Sequence, residues 1–296
     1  MAIGEAQLAT WSAQGSVTQS ADTHTPIRKV LENANAPYNK NFETYLQGSY
    51  GNDTNVFSES DVDIVMQTNA LYYYDISRLS EEQQAAYKAT HGASNLSQAA
   101  FKAEVATWLQ RHYNGVVAGD KAITVPGNGS RREADVLACA QFRRYFRLSA
   151  GEPESDFARG ICFHLPDGTR IENFPKQHSA NCTTKHQGTS SRFKPQVRIW
   201  KNLRNRMVAD GKIAKGLAPS YFIEGMLWNV PNDQYVNTYA ATFVNCLNWV
   251  QTSDKTKLTT ASGFHWLSRD NSHTCWPTQD MNSFLTAVTQ TWNNWR

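Results

Sequence analysis

Three aspartates stand at the start of two apolar stretches of the chain. Asp61 and Asp63 open the segment DVDIVM, and Asp135 is the second residue of ADVLAC. Side chains two residues apart on a strand point to the same face, so Asp61 and Asp63 would project together. Two such carboxylates repel each other unless a cation lies between them, and Mg²⁺ prefers oxygen ligands. If the two strands are neighbours, three carboxylates converge and can hold two metal ions for phosphoryl transfer.

A Gly-Ser turn precedes these carboxylates. Eleven residues separate Ser49, which follows Gly48, from Asp61. A small-residue turn before a helix offers backbone N–H groups and a hydroxyl to a phosphate. Alone, a D-x-D segment is also typical of a solvated strand start, and Asp135 of a loop. The turn and the carboxylates together favour a metal-dependent nucleotidyltransferase, because nucleotidyl transfer requires both.

Two segments of the second half could also contact phosphates. In FKPQVRIWKNLRNRM, helical spacing places Lys194, Arg198 and Lys201 on one side and the apolar residues on another. A solvated basic face is an equally good interpretation of that stripe. Further on, Pro219 predicts a helix start that would place Ser220 at anion-binding N–H groups, with Tyr221 next to it. The alternative there is a helix cap and a core tyrosine.

Two further groups leave their role open. His178, Cys182 and His186 have the i, i+4, i+8 spacing of a possible zinc site on a helix, but no further cysteine pair lies near them. We therefore do not favour zinc. Arg131 and Arg132 come just before the third aspartate. They are either phosphate contacts or exposed turn residues.

The predicted elements divide the chain into a mixed α+β half and a helical half. In the first half we expect helices over about 23–47 and 80–113. The predicted strands there cover 61–66, 122–125, 134–139 and 141–148, followed by a hairpin over 160–174 that turns at Asp167-Gly168. In the second half, helices are predicted over 193–208, 220–229, 235–251 and 280–295. We place the domain boundary between residues 190 and 191.

The bulk properties exclude several classes of protein. The net charge of +3 is too small for a protein that coats long nucleic acid. No apolar run approaches the roughly 20 residues that span a bilayer, and the first residues do not resemble a signal peptide. The five scattered cysteines fit reduced thiols in a cytoplasmic protein. The 296 residues suit one large domain or two lobes.

The motifs resemble those of a known family. Leu46-Gln47-Gly48-Ser49, eleven residues, and then DVDI match the signature of DNA polymerase β-like nucleotidyltransferases. The longer string LQGSYGNDTNVFSESDVDIV resembles the bacterial relatives of cyclic GMP-AMP synthase, the DncV-like CD-NTases. The resemblance continues through READVLAC, FPKQH, FKPQVRIWKNLR and PSYFIEGMLWNVP, and covers most of residues 40–230. It implies a polymerase β-like core with a mixed, mostly antiparallel sheet, a C-terminal helical bundle and a cleft between the lobes.

The resemblance also implies a set of site residues. Asp61 and Asp63 would bind both Mg²⁺ ions, with Mn²⁺ as an alternative, and Asp135 would complete the metal site and orient or deprotonate the attacking ribose hydroxyl. The donor triphosphate would be held by Gln47, Gly48, Ser49, Lys201 and Ser220. Tyr221 would stack on a base.

The implied activity is synthesis of a cyclic di- or trinucleotide second messenger from ribonucleoside triphosphates, ATP and/or GTP, in anti-phage signalling of the CBASS type. A product like cyclic GMP-AMP is favoured. No basic DNA-binding tail or zinc-bearing insertion is visible, so we expect no stable nucleic-acid partner and no membrane, while regulatory protein partners are compatible with the family. Two alternatives stay open: a linear or protein-directed transferase of the antitoxin type, and a non-catalytic nucleotide-binding sensor.

Overall fold

The computed structural model describes residues 2–15, 18–57 and 61–295. The chain forms two compact units. The sheet unit consists of Thr18–Gln47 and Asp61–Pro175, and the helical unit consists of Met1–Val17, Gly48–Ser60 and Lys176–Arg296. Within the described residues, the helices are too short or too polar to cross a bilayer.

The sheet unit contains a mixed sheet in which the order of the main strands is β1-β2-β5-β4-β3, with β6 pairing β5 and β7 pairing β6. β2 and β5 are parallel, and the other pairs are antiparallel. This confirms the predicted mixed, mostly antiparallel sheet. The strands are β1 (Phe42–Leu46), β2 (Val62–Asp75), β3 (Val117–Ala118), β4 (Ile123–Val125), β5 (Ala134–Tyr145), β6 (Phe157–His164) and β7 (Arg170–Asn173).

The central strands are longer than predicted. β2 continues from the predicted strand through to Asp75, with a register shift between Thr68 and Tyr72. β5 joins the two strands predicted over 134–139 and 141–148, because Ala140 between them pairs with a strand on either side. It ends at Tyr145, so the strand predicted over 146–148 is wrong. A central strand is buried on both faces and therefore lacks the alternation that marks a strand exposed on one face. The hairpin predicted over 160–174 is confirmed by β6 and β7.

The helices of the sheet unit are α2 (Thr18–Leu31), α4 (Glu81–Thr90) and α5 (Gln98–Gln110). The helix predicted over about 23–47 is wrong in its second half, which contains β1. Asn33 ends the helical course, since its side chain accepts from the N–H of Asn35 two residues on. The single helix predicted over 80–113 is two helices, because Ser97 caps a new one by accepting from the N–H of Ala100.

The helical unit is built around α7 (Phe193–Ala209), whose apolar face is buried. Trp200 of α7 stacks on Phe243, with ring centroids 4.7 Å apart. The predicted helix over 220–229 is confirmed by α8. The other helices are α1 (Glu5–Ser12), α3 (Gly48–Gly51), α6 (Pro175–Gly188), α8 (Ser220–Asn229), α9 (Tyr239–Thr252) and α10 (Thr278–Asn293).

The chain changes unit several times, which no composition shift in the sequence indicated. The Gly-Ser segment belongs to the helical unit, and the three aspartates at the starts of β2 and β5 belong to the sheet unit. The chain passes from the sheet unit to the helical unit for the last time between Pro175 and Lys176. A functional division between residues 190 and 191, with a cleft between two lobes, stays a prediction.

Candidate active site

The aspartates lie on neighbouring strands of the sheet unit. In the parallel pair of β2 and β5, Asp63 is directly opposite Asp135. Asp61 comes immediately before β2, two residues from Asp63. Because parallel strands enter the sheet from the same edge, both strand starts bring their carboxylates there. The three carboxylates were expected to converge if the two strands were neighbours. β2 and β5 are neighbours, which confirms that requirement.

Two contacts fix the immediate surroundings of these carboxylates. The Thr124 hydroxyl of β4, opposite Asp135 in the register, donates to Asp135 Oδ1 at 2.7 Å. The backbone N–H of Gln47, at the end of β1, donates to the carbonyl of Asp63 at 3.0 Å. Asp63 and Asp135 are half-buried, and Asp61 is exposed. The preceding residues 58–60 lie outside the described residues.

The donor set of this edge fits a hard divalent cation, because it consists of carboxylates. In the described residues, three potential metal-ligating atoms lie within 4.8 Å of one another only at His178, Cys182 and Glu224. That cluster is buried inside the helical unit, whereas the three aspartates belong to the sheet unit.

The Gly48-Ser49 segment opens α3, a helix of a single turn. Gly48 has a φ of +64°, a left-handed conformation that favours glycine. The N–H of Asn52 donates to the carbonyl of Gly48 at 3.1 Å, and the N–H of Thr54 donates to that of Ser49 at 2.9 Å. The predicted turn is thus folded back on itself by its own backbone.

The basic face of α7 contacts the residues that follow this turn. Lys194 Nζ lies 2.8 Å from the Asp53 carboxylate, and Arg198 donates to the Asp53 carbonyl at 2.6 Å. Lys201 is fully buried, and its Nζ donates to the carbonyl of Thr54 at 2.9 Å. The three cations share one side of the helix, as predicted, and each binds the protein itself. The predicted role of Lys201 in neutralising a triphosphate stays a prediction.

α8 begins at Ser220, directly after Pro219. A guanidinium nitrogen of Arg204 lies 3.4 Å from the Ser220 hydroxyl. Sequence reasoning missed Arg204, although it lies three residues after Lys201 on α7 and helical spacing puts these two side chains on neighbouring positions. Arg204 is therefore an additional candidate for anion contact at this helix start.

The Tyr221 ring stacks on the ring of His178, with centroids 4.9 Å apart and planes 22° apart. Burial raises the pKa of the Tyr221 phenol, against hydrogen bonds from Thr260 and Ser262 that lower it. One face of the aromatic ring is thus covered by His178 while the phenol is kept neutral. The ring is neither an ordinary core residue nor fully exposed.

Two minor alternatives receive a structural answer. Arg131 stacks on Tyr113 at 4.5 Å and donates to the Pro126 carbonyl at 2.6 Å, which fits a turn residue. His186 accepts a hydrogen bond from the N–H of Lys194 at 3.3 Å. The buried cluster around His178 contains Glu224 rather than His186.

A sheet that pairs aspartates on adjacent parallel strands, with a C-terminal set of helices, is the architecture of a polymerase β-like nucleotidyltransferase. Residues 180–293 match the cGAS/DncV-like nucleotidyltransferase C-terminal helical domain. The cyclic UMP-AMP synthase of Rhodothermus marinus is 33% identical over 298 aligned residues, covering 100% of this chain and 99% of that protein. The chain belongs to the cGAS/DncV-like nucleotidyltransferases, the CD-NTases.

Solved structures agree with this assignment. The structure of the Rhodothermus marinus c-UMP-AMP synthase with Apcpp and Upnpp matches with a TM-score of 0.87 and 32% identity, covering 99% of this chain and 97% of that one. The Elizabethkingia meningoseptica cyclic dinucleotide synthase with GTP and Apcpp matches with a TM-score of 0.78 and 30% identity, covering 97% and 98%. The predicted fold, the family and the enzyme class are confirmed: the chain is a nucleotidyltransferase of the cyclic nucleotide synthase class.

Proposed function

We propose that this chain joins two ribonucleoside triphosphates and closes them into a cyclic dinucleotide, with release of pyrophosphate. The observation that carries the proposal is the register of β2 and β5, which sets Asp63 opposite Asp135 with Asp61 two residues away. Three carboxylates at one sheet edge suit two divalent ions, and we propose Mg²⁺ as the ion, with Mn²⁺ as a substitute.

Each carboxylate has its own role in this proposal. Asp61 and Asp63 hold both ions, and Asp135 completes the site and accepts the proton of the attacking ribose hydroxyl. The Thr124 hydroxyl, bound to one oxygen of Asp135, fixes the direction in which the other points. When bound, the metal ions neutralise charge on the donor phosphates and the leaving pyrophosphate.

The phosphate and base contacts come from the other predicted residues. Gln47 is placed by its backbone bond to Asp63 and leads into the turn. Tyr221 stacks on a base, a contact worth about 1–3 kcal/mol. The donor triphosphate is held by Gly48, Ser49 and Ser220, with Arg204 beside the last of these. Lys201 supports the same segment through the carbonyl of Thr54 and adds positive charge behind it.

We propose ATP as one of the two substrates. The two solved relatives were obtained with different partners, Upnpp and GTP, and the adenosine analogue Apcpp is common to both. The expectation of a product like cyclic GMP-AMP stays a prediction, as does its role as a second messenger in anti-phage signalling. For cyclisation, the linear intermediate turns so that its free hydroxyl attacks its remaining triphosphate.

Product analysis tests this function. The purified chain is incubated with all four ribonucleoside triphosphates and Mg²⁺. The products are treated with phosphatase, and their masses are determined by mass spectrometry. We expect a phosphatase-resistant dinucleotide that contains adenine. A phosphatase-sensitive product or a nucleotide attached to protein would support the linear or protein-directed transferase. Tight binding of Apcpp without turnover in either ion would support the sensor.

A further inference from the structure

Glu224 of α8 is a carboxylate buried inside the helical unit, with 3% of its surface exposed. It accepts hydrogen bonds from the Asn52 amide at 3.0 Å and from the Thr54 hydroxyl. His178 Nε2 lies 2.7 Å from the same carboxylate. Burying a carboxylate costs free energy unless hydrogen-bond donors surround it. The donors around Glu224 therefore serve a structural or functional role.

Two of the three partners belong to the segment that follows the Gly-Ser turn. Asn52 and Thr54 are also the residues whose N–H groups bind back to Gly48 and Ser49. The same segment receives Lys201 Nζ at the Thr54 carbonyl. The buried Glu224 carboxylate therefore fixes the backbone segment that follows the Gly-Ser turn and holds it in place.

The third partner leads to the predicted base-stacking ring. Because its neighbour is a carboxylate, His178 Nε2 must carry a proton, which sets the orientation of the imidazole. That imidazole stacks on Tyr221. In the described residues, Nδ1 of His178 makes no hydrogen bond, so Glu224 alone orients the ring through a polar contact.

A metal ion bound by His178, Cys182 and Glu224 would be another explanation of this cluster, since their ligand atoms lie within 4.8 Å of one another. Two ligands on a tetrahedral zinc would be roughly 3.3 Å apart, given metal–ligand distances of about 2.0–2.1 Å. The 2.7 Å between His178 and Glu224 is a hydrogen-bond distance instead. Burial also raises the pKa of the Cys182 thiol well above its ordinary value, which disfavours a thiolate ligand.

We propose that Glu224 is a positioning residue that couples the phosphate-binding turn to the base-stacking Tyr221, so that a nucleoside triphosphate finds both contacts in place at once. The inference rests on the proposed function of those two contacts. It concerns a carboxylate that touches neither substrate nor metal. Its effect therefore lies in nucleotide affinity rather than in the chemical step.

The first experiment compares Glu224→Gln and Thr54→Val with the unaltered chain. The glutamine can turn its carbonyl toward Asn52 and His178, so it keeps the shape and loses the charge. Thr54→Val removes a single hydroxyl and keeps the volume of the side chain. The measurements are the Kd for Apcpp, the KM and kcat for ATP, and the thermal midpoint.

For Glu224→Gln we expect the Kd and KM to rise about tenfold or more, because the hydrogen bonds to this side chain are no longer charge-assisted, while kcat changes little. Thr54→Val should raise both in the same direction by a smaller factor. In the double variant the two effects should not add, because both act through one contact. A lower thermal midpoint with unchanged Kd and KM in both variants would overturn the proposal and leave a purely structural role. If Glu224→Gln fails to fold, Thr54→Val decides alone.

Cys182→Ala is the matched control, since it lies in the same cluster without a hydrogen bond to Glu224. We expect its Kd, KM and metal content to equal those of the unaltered chain. One zinc per chain that disappears together with nucleotide binding in Cys182→Ala would overturn the proposal, because Glu224 would then be a metal ligand. Absence of any cyclic product from the unaltered chain refutes the proposed function instead, and the Kd for Apcpp still tests the coupling.

Discussion

The contact between Thr124 and Asp135 is the clearest case of one residue preparing another in the sheet unit. Both lie on strands, where the backbone is held by pairing on either side. A side-chain bond of 2.7 Å added to this rigid backbone selects one orientation of the carboxylate. A group that must accept a proton from a ribose hydroxyl benefits from such a fixed orientation.

Thr124→Val tests this role of the hydroxyl. Valine has the same shape and cannot donate, so Asp135 loses its fixed rotamer. We expect kcat to fall about tenfold, the equivalent of one hydrogen bond of roughly 1.4 kcal/mol, with KM for ATP unchanged. Initial rates of pyrophosphate release measure both constants, and Thr90→Val, on the exposed end of α4, is the control. An unchanged kcat, or a change confined to KM, would contradict the assignment.

At the scale of elements, α7 and α8 both supply side chains that bind the segment following the Gly-Ser turn. α7 supplies Lys194 and Lys201 to the residues that follow the turn. α8 supplies Glu224 from one helical turn beyond Ser220, so the helix start and the carboxylate move together. Cations and an anion thus surround one short segment, which explains how a loop can keep a defined conformation.

The charge of Glu224 makes the stability of this arrangement depend on pH. Burial alone would raise the pKa of its carboxyl. The hydrogen bond and the charge of His178, together with the charge of Lys201, outweigh burial and leave the pKa below its ordinary value. A carboxyl whose pKa is lower in the folded chain stabilises the fold above its unfolded pKa, which is about 4.3. That contribution is lost as the pH falls through the folded pKa.

We therefore expect the stability that Glu224 adds over Glu224→Gln to be full at pH 7 and to shrink as the pH falls below about 4.3. Urea unfolding of both chains at a series of pH values measures the difference. A difference that grows on acidification would show that the pKa is raised in the fold, contrary to this account.

At the scale of the whole molecule, the chain leaves the sheet unit after Gln47 and returns to it at Asp61. The family signature LQGS-x11-DVD therefore covers both changes of unit. Local signals predicted the turn of this signature from Gly48 and Ser49 and, elsewhere in the chain, the start of α8 from Pro219. The resemblance to a family joined these parts into one expected site.

Other features could not be predicted because they depend on long-range pairing. Asp63 and Asp135 are 72 positions apart, and only the strand register shows that they are partners. Lys201 and Thr54 are 147 positions apart, so the periodicity of α7 revealed a basic face and not what it binds. Glu224 lies in the family-like segment PSYFIEGMLWNVP, but a single glutamate in an apolar helix has no sequence signature for its donors.

The central claim is that the aspartates bind the metal ions of the reaction. Replacing Asp61 and Asp63 together by alanine tests this claim most directly. The measurement is the rate of cyclic product formation from labelled ATP and its partner nucleotide in Mg²⁺, with Asp120→Asn, an exposed aspartate of the same unit, as the matched control. We expect the double variant to lose at least about a thousandfold in rate, since both ions lose their ligands, while the control keeps the full rate. Synthesis at an undiminished rate in the double variant would contradict the assignment of the metal site and the mechanism built on it.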